Sequence, residues 1–155
     1  MDLKAAVRDT MEFLGRVRKL RNGIENKMLR IETLRDMATS TTAAVSDMPR
    51  SDSPNLQRME TVLCKVADLE REIAQDRAAM ETAKAEITAA LSELEDYREQ
   101  QALYGRFVEC NGWAAIAKDC GFCIRTVQRW LDSGIEHLAV LMKGRLAHGQ
   151  KQAGV

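Results

Sequence analysis

A chain of 155 residues with 5% aromatics, 2 prolines and 30% charged side chains has room for one ordinary domain, or for a small domain on an extended helical segment; it excludes two full-cored domains and an all-β fold. Basic and acidic residues balance at 23 each but are unevenly placed, with net +4 over residues 1–35, −7 over 36–100 and +3 over 101–155. The longest apolar run is Leu138 to Met142, and Asp2, Lys4, Arg8, Asp9 and Glu12 interrupt the start of the chain, so neither a membrane span nor a secretory signal is expected.

The first element is a helix over 3–38. Leu3, Val7, Leu14, Val17, Leu20, Ile24, Met28, Ile31 and Leu34 keep three- and four-residue spacing, and Asn22-Gly23 is the place for a bend. A breaker-rich loop follows over 39–54, from Thr39-Ser40-Thr41 to Ser53-Pro54. The next helix, 55–97, carries a stricter seam: Met59, Val62, Val66, Leu69, Ile73, Asp76, Met80, Ala83, Ile87, Ala90, Leu94 and Tyr97, with Asp76 the only charged member. At about 1.5 Å per residue it is roughly 60 Å long, too long for a compact bundle.

Residues 1–99 therefore read as an antiparallel helical hairpin of coiled-coil type. If residue 38 faces residue 55, paired numbers sum to about 93, and Arg16, Arg18, Lys19 and Arg21 lie beside Asp68, Glu70, Glu72 and Asp76. Interhelical ion pairing is then the plain reading of that basic run, against contact with nucleic acid or polymerase. Beyond about residue 90 the second helix outruns the first. Its seam must be covered by the C-terminal domain, a second copy of the chain or another protein.

The C-terminal domain is expected over 100–146, with residues 147–155 a flexible tail. Leu103, Tyr104, Phe107 and Val108 form a short amphipathic helix ended by Asn111-Gly112, and Trp113 opens a segment with helix-turn-helix spacing. That motif needs a small residue where two helices cross, a glycine four later where the chain turns with positive φ, and a β-branched core residue six beyond. Ala117, Gly121 and Val127 occupy those positions. Ile116, Cys120, Phe122, Val127 and Trp130 should face inward, continued by Leu131, Ile135 and Leu138. Ile124, Arg125, Gln128, Arg129 and Asp132 then face outward. Arg bonds guanine bidentately and Gln does the same to adenine, so Ile124, Arg125, Gln128 and Arg129 are the base-reading candidates. Lys118 and Thr126 are placed for phosphates. Cys123 stands where Ser or Thr would be the better cap.

Cys64, Cys110, Cys120 and Cys123 are read as free thiols. Cys120-x-x-Cys123 lacks the two further ligands of a closed zinc site, Cys110 and His137 being badly spaced, so no metal or other cofactor is expected. Nothing points to an enzyme: there is no phosphate-binding glycine loop, and His137 and His148 are the only histidines, the first read as solvated or phosphate-contacting.

The segment Leu103 to Leu138, with Tyr104, Phe107, Trp113, Ile116-Ala117, Gly121, Arg125-Thr126-Val127 and Ile135/Leu138, resembles region 4 of sigma-70-type transcription factors. The whole chain is similar to small phage and prophage late-gene regulators with an N-terminal helical hairpin, a loop like Met37-Ala38-Thr39-Ser40-Thr41 followed by Ser46-Asp47-Met48-Pro49-Arg50, and this C-terminal unit. The resemblance implies a sequence-specific DNA-binding regulator in the cytoplasm of a bacterial host. Its partners would be double-stranded DNA and, through the hairpin, host RNA polymerase or a second protomer. The alternative is a DNA-packaging assembly protein of the small-terminase kind, although those place the DNA-binding unit first. A lesser one is an interaction protein with a vestigial motif.

Overall fold

A computed structural model of the chain describes residues 2–45 and 53–153, with side chains for 2–40 and 56–145. Every regular element among them is helical: α1 (Leu3–Leu14), α2 (Arg16–Val45), α3 (Ser53–Leu91), α4 (Tyr97–Leu103), a π-helical turn (Tyr104–Val108), α5 (Trp113–Cys120) and α6 (Ile124–Ala153). No described helix is long and apolar enough to cross a membrane. The helices fall into two compact units, Leu20–Ala79 and Met1–Lys19 with Met80–Val155.

In the unit Leu20–Ala79, α2 and α3 bury Ile24 and Ile31 with Val66, Leu69 and Ile73. Lys27 Nζ bonds Asp76 at 2.6 Å and approaches Glu72 at 3.5 Å, while Arg35 reaches Glu70 at 3.0 Å. The charged member of the seam, Asp76, is thus half-buried and paired. The numbers of the pairs Lys27–Asp76 and Arg35–Glu70 add to 103 and 105, not to the expected 93. Helix persists to Val45 rather than ending near 38 and resumes at Ser53 rather than 55, which accounts for about half of that shift. Of the expected loop, 39–45 and 53–54 are helical; 46–52 lie outside the described residues.

Among the described residues the largest fully buried side chains all lie in the other unit: Thr10, Leu14, Val17, Ile87, Leu103, Ile116, Val127 and Leu138. Asp2 caps α1, whose buried face is Ala6, Thr10 and Leu14, and α1 packs along α6. Leu3 is half exposed, so the inward stripe lies to one side of the expected Leu3–Val7 line. The Thr10 hydroxyl donates to the Ala6 carbonyl at 2.8 Å and lies 3.8 Å from Met142 Sδ. The first helix is interrupted at Gly15, not at Gly23, which stays helical. Gly15 N–H to Met11 O (2.9 Å) and Lys19 N–H to Gly15 O (3.0 Å) carry the hydrogen-bond ladder across that single residue.

The second long helix ends at Leu91 rather than in the high nineties. Glu93 and Leu94 close short bonds back to Ala90 and Leu91, and Asp96 restarts the chain as the cap of α4 by accepting the Arg98 N–H at 2.9 Å. Leu94 is buried as the seam required, but Tyr97, the first residue of α4, is 72% exposed. α4 crosses α6 at Gly134, where an added Cβ would stand 2.8 Å from Leu103 Cδ1 and 3.1 Å from Glu99 Cβ. The chain reversal after the π turn falls on Cys110, at φ 56°, and not on Asn111-Gly112. Where a flexible tail is expected over 147–155, α6 stays helical to Ala153, through both Gly144 and Gly149.

Candidate nucleic-acid interface

α5 and α6 are joined by a three-residue turn whose chemistry is local. Gly121 sits at φ 74° in the left-handed region, where its N–H returns to Ala117 O at 2.9 Å and the Phe122 N–H to the same carbonyl at 3.1 Å. Only glycine adopts that φ without a steric penalty. Ile116 and Ala117 on α5 and Val127, Leu131, Ile135 and Leu138 on α6 are buried, as their spacing required.

Ile124, Arg125, Gln128, Arg129 and Asp132 are all exposed, at positions that one face of a 3.6-residue helix brings together over the first turns of α6. Lys118 is exposed on α5. Thr126 is half-buried, and its hydroxyl lies 3.2 Å from Cys123 Sγ, so it is engaged at the start of the helix. Cys123 takes the capping place that the sequence made doubtful: its carbonyl accepts from Val127 N–H, and the Thr126 hydroxyl, followed by the Thr126 backbone N–H, pulls its thiol below the ordinary value. Burial pushes the Cys120 thiol up, reinforced by Asp119. Among the described residues no three His, Cys, Asp or Glu side chains come together as metal ligands.

Two expected inward residues behave differently. Phe122 is 49% exposed and Trp130 half-buried, and their rings meet edge-on with centroids 4.8 Å apart. The Arg98 guanidinium of α4 lies over both, 5.5 Å from the Trp130 centroid and 5.9 Å from that of Phe122. At the start of α5, Arg106 stacks 4.4 Å above Trp113 and donates to Asn111 O at 3.2 Å; burial, then the charge of Arg18, holds its pKa below the usual guanidinium value.

The His137 side chain is largely exposed and is paired within the fold. Its Nδ1 lies 2.8 Å from Glu99 Oε2, and the Ser133 hydroxyl donates to Glu99 Oε1 at 2.5 Å, so a carboxylate buried between α4 and α6 is satisfied from both sides. The Glu99 hydrogen bond and charge raise the His137 pKa. Ser133 therefore bonds the carboxylate rather than the imidazole. The sequence did hold a signal for this region: Asp96-x-x-Glu99 has the spacing of a helix start, which the continuous seam to Tyr97 obscured.

Three of the four residues of the basic run near the N-terminus bond within the fold, to other partners than expected. Arg16 pairs with Glu86 at 2.6 Å, Arg18 donates to the Arg106 carbonyl at 3.4 Å, and Arg21 reaches Glu25 on its own helix. Asp68 bonds Arg71 instead. Compared with family models, with curated proteins and with solved structures, the chain matches none.

Proposed function

We propose that the chain is a sequence-specific DNA-binding transcriptional regulator of phage type, in which α5, the Gly121 turn and α6 act as a helix-turn-helix and the paired α2 and α3 of the unit Leu20–Ala79 as an antiparallel hairpin that contacts RNA polymerase or a second copy. The observation that carries this reading is the exposed set Ile124, Arg125, Gln128 and Arg129 on the first turns of a helix anchored from behind by Ala117 and Val127. Guanidinium and carboxamide groups on such a face have the donors and acceptors that major-groove base edges match. Lys118, exposed on the preceding helix, supplies a phosphate contact that positions without specifying.

The test is selection of bound sites from the source genome, followed by affinity measurements on the selected site and on unrelated DNA. Arg125→Ala or Arg129→Ala should each cost about 1–3 kcal/mol on the selected site and flatten the preference, whereas Lys118→Ala should weaken all sequences alike. If both arginine variants bind as the wild type does, α6 is not the reading helix.

A further inference from the structure

We infer that Arg98 is a further DNA contact, a phosphate-binding residue that extends the interface from α6 onto α4; this rests on the DNA-binding reading above. Three observations converge on it. Arg98 is exposed, and among the described residues no carboxylate forms an ion pair with it; Asp96 accepts only its backbone N–H. Its guanidinium is held over the Trp130 and Phe122 rings, which fix one another edge-to-face. Phe122 itself stays half in water at the turn, so its ring serves as a shelf for the cation more than as core.

The position selects the kind of contact. Trp130 follows Arg129 and lies one helical turn beyond Thr126, about 100° around the axis from Arg129, so a guanidinium on its ring flanks the exposed face of α6 rather than standing at its centre. A group beside a groove-reading helix meets the strand backbone, whose phosphate oxygens match the guanidinium fork. Stacking pre-orients that fork, so little rotamer freedom remains to be lost on binding.

Binding of the full chain to a fluorescently labelled mixed-sequence DNA duplex, followed by anisotropy from about 50 to about 200 mM salt, tests the assignment. Arg98→Gln should lower the slope of log affinity against log salt by about one unit, so that the wild-type advantage shrinks roughly threefold across that range, and Arg98→Lys should restore the slope. An unchanged slope in R98Q, while the wild type binds and R125A and R129A lose site preference, overturns this inference and leaves the DNA-binding reading intact. Absence of any salt-dependent binding by the wild type overturns both. Loss of the helical circular-dichroism signal in R98Q assigns Arg98 to the fold and likewise overturns the inference.

Discussion

In the unit Leu20–Ala79 the best-buried side chains, Ile24, Ile31, Val66, Leu69 and Ile73, keep 7–9% of their surface in water, whereas Ala83, Ile87, Leu103 and Val127 of the other unit keep none. Two helices side by side can enclose a seam only from two directions, and solvent reaches the rest. In the second unit α4, α5 and α1 all pack against α6, and a third layer closes the core. The first arrangement therefore leans on charged rims such as Lys27–Asp76 and Arg35–Glu70; the second leans on dry packing and on one satisfied buried carboxylate.

That contrast breaks most visibly under truncation. Leu103→Ala removes a side chain with no exposed surface and should cost about 2–5 kcal/mol in urea unfolding, toward the upper part of that range because no solvent fills the void. Ile31→Ala should fall at or below the low end. Equal losses at the two positions would show that the seam of α2 and α3 is as dry as the core around α6.

Gly134→Ala probes the same core from the opposite direction. The new Cβ meets Leu103 Cδ1 at 2.8 Å and Glu99 Cβ at 3.1 Å, and Leu103 has no room to retreat, so overpacking should cost about 1–3 kcal/mol. Gly23→Ala, with nothing within 4 Å, should instead stabilise by the helix propensity of alanine. A neutral Gly134→Ala would mean that α4 can slide on α6.

Smaller still is Arg35→Ala at the rim of the two-helix seam. With side-chain exposures of 64% and 54%, the Arg35–Glu70 pair should contribute about 0–1 kcal/mol in a double-mutant cycle and less at high salt. A coupling that survives high salt would contradict the picture of a wet rim.

The subtlest effect is on pH dependence. Because Glu99 raises the folded-state pKa of His137 above the ordinary 6.5, the stabilisation is fully present below 6.5 and is lost as pH rises through the folded value. The imidazole side chain is largely exposed, so water screens much of the interaction. The thermal midpoint of the wild type should fall relative to that of His137→Gln as pH rises above 6.5. Parallel curves for the two proteins would remove the pairing as a source of stability.

Much of this was legible in the sequence, and the failures share a cause. Val66, Leu69, Ile73, Ala83, Ile87, Ala90 and Leu94 are buried where periodicity placed them, Met80 is half-buried, and the misfit of the seam, Asp76, is explained by Lys27. Gly121 turns at positive φ and Val127 is buried, because those demands are set by steric limits within a few residues. Register, by contrast, depended on where helix ended between two long segments, and Ser40 and its neighbours were read as breakers although threonines such as Thr39 bond back to the carbonyl four residues earlier and stay helical. The packing of α1 on α6 was not legible, since Ala6 and Thr10 are small or polar and carry no hydrophobic signal. Among the candidate site residues, Arg125, Gln128 and Arg129 lie exposed as their helical spacing implied, while Phe122 was assigned inward on apolarity alone and instead shares its ring with Arg98.

The π turn at Tyr104–Val108 alters how chain length is counted in the C-terminal unit. Glu109 N–H bonds Tyr104 O, five residues back, so this stretch holds one residue more than an α-helical ladder of the same span. The surplus brings consecutive residues, Phe107 and Val108, to the interior together, with Gly105 drawn close against Ile116. Such a turn is a reservoir of length: related chains one residue shorter can close the ladder to α form there, keeping Trp113 and all that follows in phase, and alignments among them should place their single-residue gaps within these five positions.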